Sequence, residues 1–325
     1  MPASYTHQVV AADAAKQLGL FTGLTEYAAL LAGAEGPDPL FFALGPSGKK
    51  PYPPLVSKKL HTRRTADLLL TMVEACGDDP LLKSYCCGFF SHYAADSVIH
   101  PFVYGHAVTP EGHYSSPAHI TLEHQWETWL YRQRGNPTGL PVQMAGFSAL
   151  SHAQRAQIAS LLSITLSAVF PEQCMGMRQL QQCFVDGMVI SRALRSSGGT
   201  KYVLAGKVLS PLKLDEALRC HMMPPEPPRE DVANLEHQTW YSPWEPDRAR
   251  TESFPDLMRI AADRSAELIR AALAYKEGKL SADDLRTLHG DYSYYSGLPW
   301  SKTCSAEEAA KQLTSAREYD TVSMG

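Results

Sequence analysis

The chain has 325 residues, 44% of them hydrophobic and 20% charged, and a formal net charge of −4. That length can bury a large core in one big domain or two. The slightly acidic balance argues against a general nucleic-acid affinity, which a basic domain would announce. Seven cysteines, with no C-x-x-C and only Cys86 and Cys87 adjacent, read as reduced thiols in a cytoplasmic protein. The opening MPASYTHQVV has no basic stretch ahead of an apolar run, so no signal peptide is expected. The longest apolar run, near LLSITLSAVF, is too short to span a bilayer.

Along the chain, apolar residues recur at three- and four-residue spacing over 7–19, 25–33, 56–76, 80–100, 117–133, 149–169, 173–196, 256–277 and 305–317, and each stretch is predicted as a helix. GPDPLFFALGPSGKKPYPP (36–54) is a long irregular segment between the second and third of them. Gly135-Asn136-Pro137 stops the fifth. The proline-rich MMPPEPPRED (222–231) is the best candidate boundary, dividing a helical domain, 1–221, from a C-terminal helical extension, 222–325, that packs on it as a candidate lid. DYSYYSGLPW (291–300) is aromatic and turn-rich. Ser305, with a glutamate three positions on, opens the last helix with a capping box. No alternating strand series is found, so the expected fold class is all-α.

Chemistry concentrates in CGFFSHYAADSVIHPF (87–102), where His92, Asp96 and His100 stand four residues apart and so share one helical face. His119 and Glu123 repeat that spacing on the next helix. Side chains so placed can close on one ion, and imidazole with carboxylate suits zinc and other borderline divalent ions. An unpaired buried carboxylate costs several kcal/mol (about 3–5 when a partner is lost), so Asp96 needs a cation or strong donors. Spacing alone leaves open a metal site and a set of satisfied core histidines. There is no H-E-x-x-H, no adjacent His-Asp pair and no cysteine set of finger spacing.

The order of these residues resembles the zinc-dependent phospholipase C family. H-x-x-x-D-x-x-x-H-P at 92–101 and H-x-x-x-E at 119–123 carry the resemblance, with an early His7 in MPASYTH, G-P-D at 36–38 and His61 in KKLHTRRT. NLEHQTWYSPW (234–244) and YYSGLPW resemble uncharacterised bacterial members, so the resemblance covers nearly the whole chain. It implies an all-α fold, shared with single-strand-specific zinc nucleases, that holds up to three zinc ions in one cleft. By position, Asp38, His61, His92 and Asp96 would hold the first. His100, His119 and Glu123 would hold the second. His7 and a bridging Asp96 would hold the third, completed by the amino group of Pro2 if Met1 is removed. The implied activity is hydrolysis of phosphoric esters by a metal-activated water, with Asp38 as catalytic base and a small-molecule or lipid phosphoester as substrate. A zinc nuclease and a zinc-stabilised binding protein without turnover are the alternatives.

Two features depart from the secreted phospholipases. The spacing from Asp96 to His100 is shorter by two, just before Pro101 is expected to end or kink the helix, which would shift the second ion. No signal or propeptide is expected, in contrast to the secreted enzymes, which makes outer-leaflet phosphatidylcholine a doubtful substrate. Arg63 and Arg64, just past His61, are candidate phosphate contacts, with Lys49 and Lys50 in the long loop. Tyr294, with Tyr292 and Tyr295, is a candidate cleft wall.

Overall fold

The computed structural model describes residues 4–20, 23–43, 52–212, 214, 218–228 and 230–323. The chain is built around one long helix, α5 (Pro80–His106). Asp79 caps it, accepting from the Leu81 and Leu82 amides at 2.8 and 3.2 Å, and Pro80 occupies the first position, where a missing N–H costs nothing. Its buried residues lie on all sides, as expected of a helix through the middle of a core.

Before it come α1 (Ser4–Gln17), α2 (Leu24–Gly33), a short 3-10 turn at Asp38–Phe42, α3 (Pro53–Leu60) and α4 (Thr65–Ala75). After it come α6 (Ser116–Gln133), α7 (Ala145–Ala149), α8 (His152–Val169), α9 (Met177–Leu194) and α10 (Thr200–Leu209). A two-stranded antiparallel hairpin, β1 (Trp240–Ser242) and β2 (Glu245–Arg250), precedes α11 (Phe254–Lys276), α12 (Ala282–His289) and α13 (Ala306–Ser323). Among the described residues the fold is all-α apart from that hairpin. Among the described residues no helix is long and apolar enough to cross a membrane.

Two apolar clusters share α5. One gathers Leu30, Phe89, Phe90, Phe147 and Phe184 with Leu268 and Ile269 of α11. The other gathers Val10, Phe102, Trp126 and Trp240 with Phe254 and Leu257. Trp126 stacks on Phe254 at 4.2 Å between centroids, so truncating either ring would cost about 3–5 kcal/mol. Both clusters draw on α11, which lies beyond the proline-rich 222–231. That segment and the residue after it are tied to α6: Thr128 Oγ1 donates to the Pro224 carbonyl at 2.8 Å and Trp126 Nε1 to that of Val232 at 2.7 Å.

Several elements differ from expectation. The single helix expected over 56–76 is two, α3 and α4, parted at Arg64, whose φ is 55°. The break is held from afar. Asp291 accepts from the Thr65 amide at 2.6 Å and hydroxyl at 3.0 Å, capping α4, while the Arg64 guanidinium donates to the Val169 carbonyl and lies over Phe170. Pro101 does not end α5, which continues to His106. The Ser97 carbonyl, whose α-helical partner would be the N–H that Pro101 lacks, faces Gly297. A Cβ at Gly297 would lie 2.2 Å from it, so only glycine lets the 291–300 loop come this close. The hairpin escaped notice because β2, EPDRAR, has none of the residues that mark strands. Helices α10 and α12 were also not expected. The capping box at Ser305 is present, with Ser305 and Glu308 exchanging bonds at 3.0 and 3.3 Å.

A buried polar knot anchors the start of α1. The Tyr5 amide donates to Glu127 at 2.5 Å, and Ser4 Oγ donates to Glu35 at 2.6 Å. Burial raises both carboxyls, Glu127 to about 8 and Glu35 to about 7, although these donors pull the other way. A carboxyl raised in the folded state gives stability that is present below its unfolded value and lost as pH climbs through the folded one. The wild type should therefore lose melting temperature relative to Glu127→Gln between pH 5 and pH 9. A difference independent of pH would show that Glu127 is not protonated in the fold.

Candidate metal centre

Five elements deliver eight buried ligand-type side chains to one place. His92, Asp96 and His100 project from one face of α5, and His119 and Glu123 from α6. His7 comes from the first turns of α1. His61 is the C-cap of α3, a position created by the break before α4. Asp38 opens the 3-10 turn that follows Gly36 and Pro37. Gly36 has φ +52°, and a Cβ there would lie 2.3 Å from the His92 ring, so this backbone can pass the imidazole only without a side chain.

These atoms form three sets that could each hold a metal ion: His7, His92 and Asp96; Asp38, His61 and His92; and His100, His119 and Glu123. Asp96 is the hub. Its oxygens lie 3.1 Å from His92 Nε2, 3.2 Å from His7 Nε2, 3.6 Å from His100 Nδ1 and 3.7 Å from His61 Nε2. Asp38 lies 3.0 Å from His61 Nε2 and 3.5 Å from His92 Nε2. Glu123 lies 3.1 Å from His119 Nε2 and 3.3 Å from His100 Nε2.

The histidines are oriented from behind. Nδ1 of His61, His92 and His100 each meets a backbone carbonyl, of Ser57 at 2.8 Å, Ala34 at 2.9 Å and Tyr294 at 3.0 Å. A ring nitrogen facing a carbonyl must be the N–H donor. In the neutral ring Nε2 is then a lone pair, and in all three it is turned on a carboxylate. Two acceptors at that distance repel unless a proton or a metal ion lies between them. Asp38 Oδ2, Asp96 Oδ2, Glu123 Oε2 and His92 Nε2 are buried and accept or donate no hydrogen bond. This arrangement of imidazoles held by carbonyls and carboxylates with unused oxygens fits a divalent cation. Electrostatics agrees. Burial by itself would raise Asp96, but His100, His92 and His7 outweigh it and hold the carboxyl well below its usual range. Burial would lower His100, but Asp96 and Glu123 lift it to about 9. Glu123 is likewise lowered against burial by His119 and His100.

The sets of Asp38, His61 and His100, His119, Glu123 open onto a cleft of about 940 Å³. His7 and Asp96 lie behind it, against a small void shared with His100 and Glu123. Of the candidate substrate contacts, Arg63 lines the cleft, its guanidinium 5.7 Å from the Trp300 ring. Arg64 does not, being spent on Val169 and Phe170. Tyr294 is fully buried behind His61 and His92 and contributes its carbonyl to His100. Its neighbour Tyr295 is the one on the cleft, stacked on His61 at 5.4 Å. Pro2, Lys49 and Lys50 lie outside the described residues. His124 turns away to the Cys220 carbonyl, and His113 pairs with Glu307 on the surface.

The sequence reading missed the opposite wall, Tyr104 and Tyr114, which pack on His119, and Trp244, which packs on Tyr104. They come from three separate segments, and nothing local marks them. It also missed Lys58 and Lys59, although Lys58 precedes His61 by three residues, a spacing that places helix neighbours together.

Residues 6–165 match the family described as zinc dependent phospholipase C. This part of the chain belongs to the zinc-dependent phospholipase C family. The matched residues include all eight ligand-type side chains. Neither the curated proteins nor the solved structures give a match. Membership of a zinc-dependent phospholipase C family and the three sets together support, coarsely, a zinc hydrolase.

Gly36→Ala should push the His92 ring out of place and lower the zinc content per chain while the helical circular dichroism persists. Gly135, also at positive φ but with open space around its Cβ, serves as control, and Gly135→Ala should keep its zinc. Equal zinc in both variants would show that the Gly36 approach does not position His92.

Proposed function

We propose that the chain is a zinc-dependent hydrolase of phosphoric esters, cleaving phosphodiesters in the manner of a phospholipase C, with up to three ions held by the three sets. The observation that carries this reading is that two of the sets, with the unused oxygen of Asp38, converge on the floor of one cleft while the third closes behind them. A structural site would be a single closed set of four ligands. When bound, zinc supplies Lewis acidity and makes water a nucleophile near neutral pH.

The chain's own residues do the rest. Asp38 faces the cleft and accepts the proton of the attacking water as general base. His61 and His92, held by the Ser57 and Ala34 carbonyls, fix the Asp38 side of the floor. His100 and His119, joined through Glu123, fix the other side, where the phosphate oxygens lie. Tyr295, stacked on His61, shields the reacting atoms from bulk water. Residues 1–221 supply this machinery, and 222–325 form an extension whose 291–306 stretch completes the cleft and selects substrate.

Turnover of bis(4-nitrophenyl) phosphate, abolished by chelator and restored by zinc, tests the reading. Asp38→Asn should keep the fold and lose at least 100-fold in kcat, in line with the 10²–10⁴-fold typical of a general base. Turnover unaffected by chelator would overturn the proposal. The aromatic wall of Tyr104, Tyr114 and Trp244 favours a second reading, stacking of the bases of a single strand. Cleavage of a short single-stranded oligonucleotide faster than of the simple diester would establish it.

A further inference from the structure

Among the described residues, and outside the three metal sets, the charged side chains lining the cleft are all cationic: Lys58, Lys59 and Arg63. They form one ridge. Lys58 and Lys59 lie in the last turn of α3, and the helical turn runs on past its last residue, with the Thr62 and Arg63 amides both donating to the Lys59 carbonyl, at 3.1 and 3.2 Å. Lys58 thus shares a face with His61, and Lys59 with Arg63.

Little neutralises this ridge. Among the described residues Lys59 meets Glu172 only at 3.9 Å, a half-exposed pair worth little, and no ion pair engages Lys58 or Arg63. Arg63 is braced instead against Trp300. Three like charges kept together on the wall of a concave site raise the local concentration of anions. The facing wall is the opposite in kind, made of Tyr104, Tyr114, Ile120 and Trp244.

We propose that the ridge is a second anion subsite, so that the substrate carries an anionic group in addition to the scissile phosphate. Resting on the hydrolase reading above, this names its substrate class: phosphodiesters with one branch bearing a further phosphate or carboxylate, laid along Lys58, Lys59 and Arg63, and an apolar branch laid on the aromatic wall. A branch whose only charge is a quaternary ammonium is disfavoured along this ridge, because three like charges repel it.

Calorimetric titration of the zinc-loaded full chain with two headgroup phosphates tests this. myo-Inositol 1,4-bisphosphate should bind at least tenfold more tightly than phosphocholine. Lys58→Ala with Arg63→Ala, both exposed and outside the core, should reduce that ratio at least fivefold. Equal affinities in the wild type, a preference for phosphocholine, binding of neither, or a ratio untouched by the double substitution would each overturn the subsite. Its failure is separable from that of the hydrolase reading: an inert protein with intact selectivity contradicts hydrolysis alone, and zinc-dependent turnover without selectivity contradicts the subsite alone.

Discussion

Asp96 is the constraint on which the rest depends. It is a carboxylate with almost no contact with solvent, ringed by four imidazoles within 3.7 Å. Such a group is tolerated in a protein interior only if its charge is answered. The answer has to be positive charge at the ring nitrogens or between them. His61 and His92 turn Nε2 on Asp96 and have Nδ1 committed to a backbone carbonyl, while His100 has Nδ1 on the Tyr294 carbonyl and Nε2 on Glu123, so the freedom of all three to answer by changing tautomer is gone. The set is therefore built for protons or for a metal ion, and one buried oxygen each of Asp38, Asp96 and Glu123 is left without a hydrogen bond.

The fold is organised to hold that arrangement still. α5 carries Asp96 between two apolar clusters, each closed by a different part of α11. The carbonyls that orient the histidines come from the end of α2, the last turn of α3 and the 291–300 loop, three segments far apart in sequence. The same loop caps α4 through Asp291 and comes close to α5 at Gly297. C-terminal residues therefore support ligands that belong to the first half of the chain. The family match ends at residue 165, but the site's orienting contacts do not.

The parts legible in the sequence were those governed by a helical period. The spacing of His92, Asp96 and His100 fixed their shared face, and the long amphipathic or apolar stretches fixed most helices. Asp38, His61 and His7 could be named only through their order along the chain, because no spacing relates residues on different elements. The break between α3 and α4 was hidden because its cause is a cap 226 residues away. Pro101 was misleading for a related reason: the chain accepts a proline inside α5, with the loop at Gly297 packed against the carbonyl left without its helical partner. Tyr294 and Tyr295 are adjacent and chemically identical, yet one is buried behind the histidines and the other faces the cleft. Only the path of the loop decides which.

The most direct test of the central claim is anomalous X-ray diffraction from crystals of the zinc-loaded protein, recorded on both sides of the zinc edge. The account predicts anomalous density beside His7 and Asp96, beside Asp38 and His61, and among His100, His119 and Glu123, at zinc–nitrogen distances of about 2.0–2.1 Å, with His92 Nε2, the one lone pair of a ring whose Nδ1 is held by the Ala34 carbonyl, bound to only one of the first two ions. Absence of density from all three sets, or zinc bound only elsewhere, would contradict it.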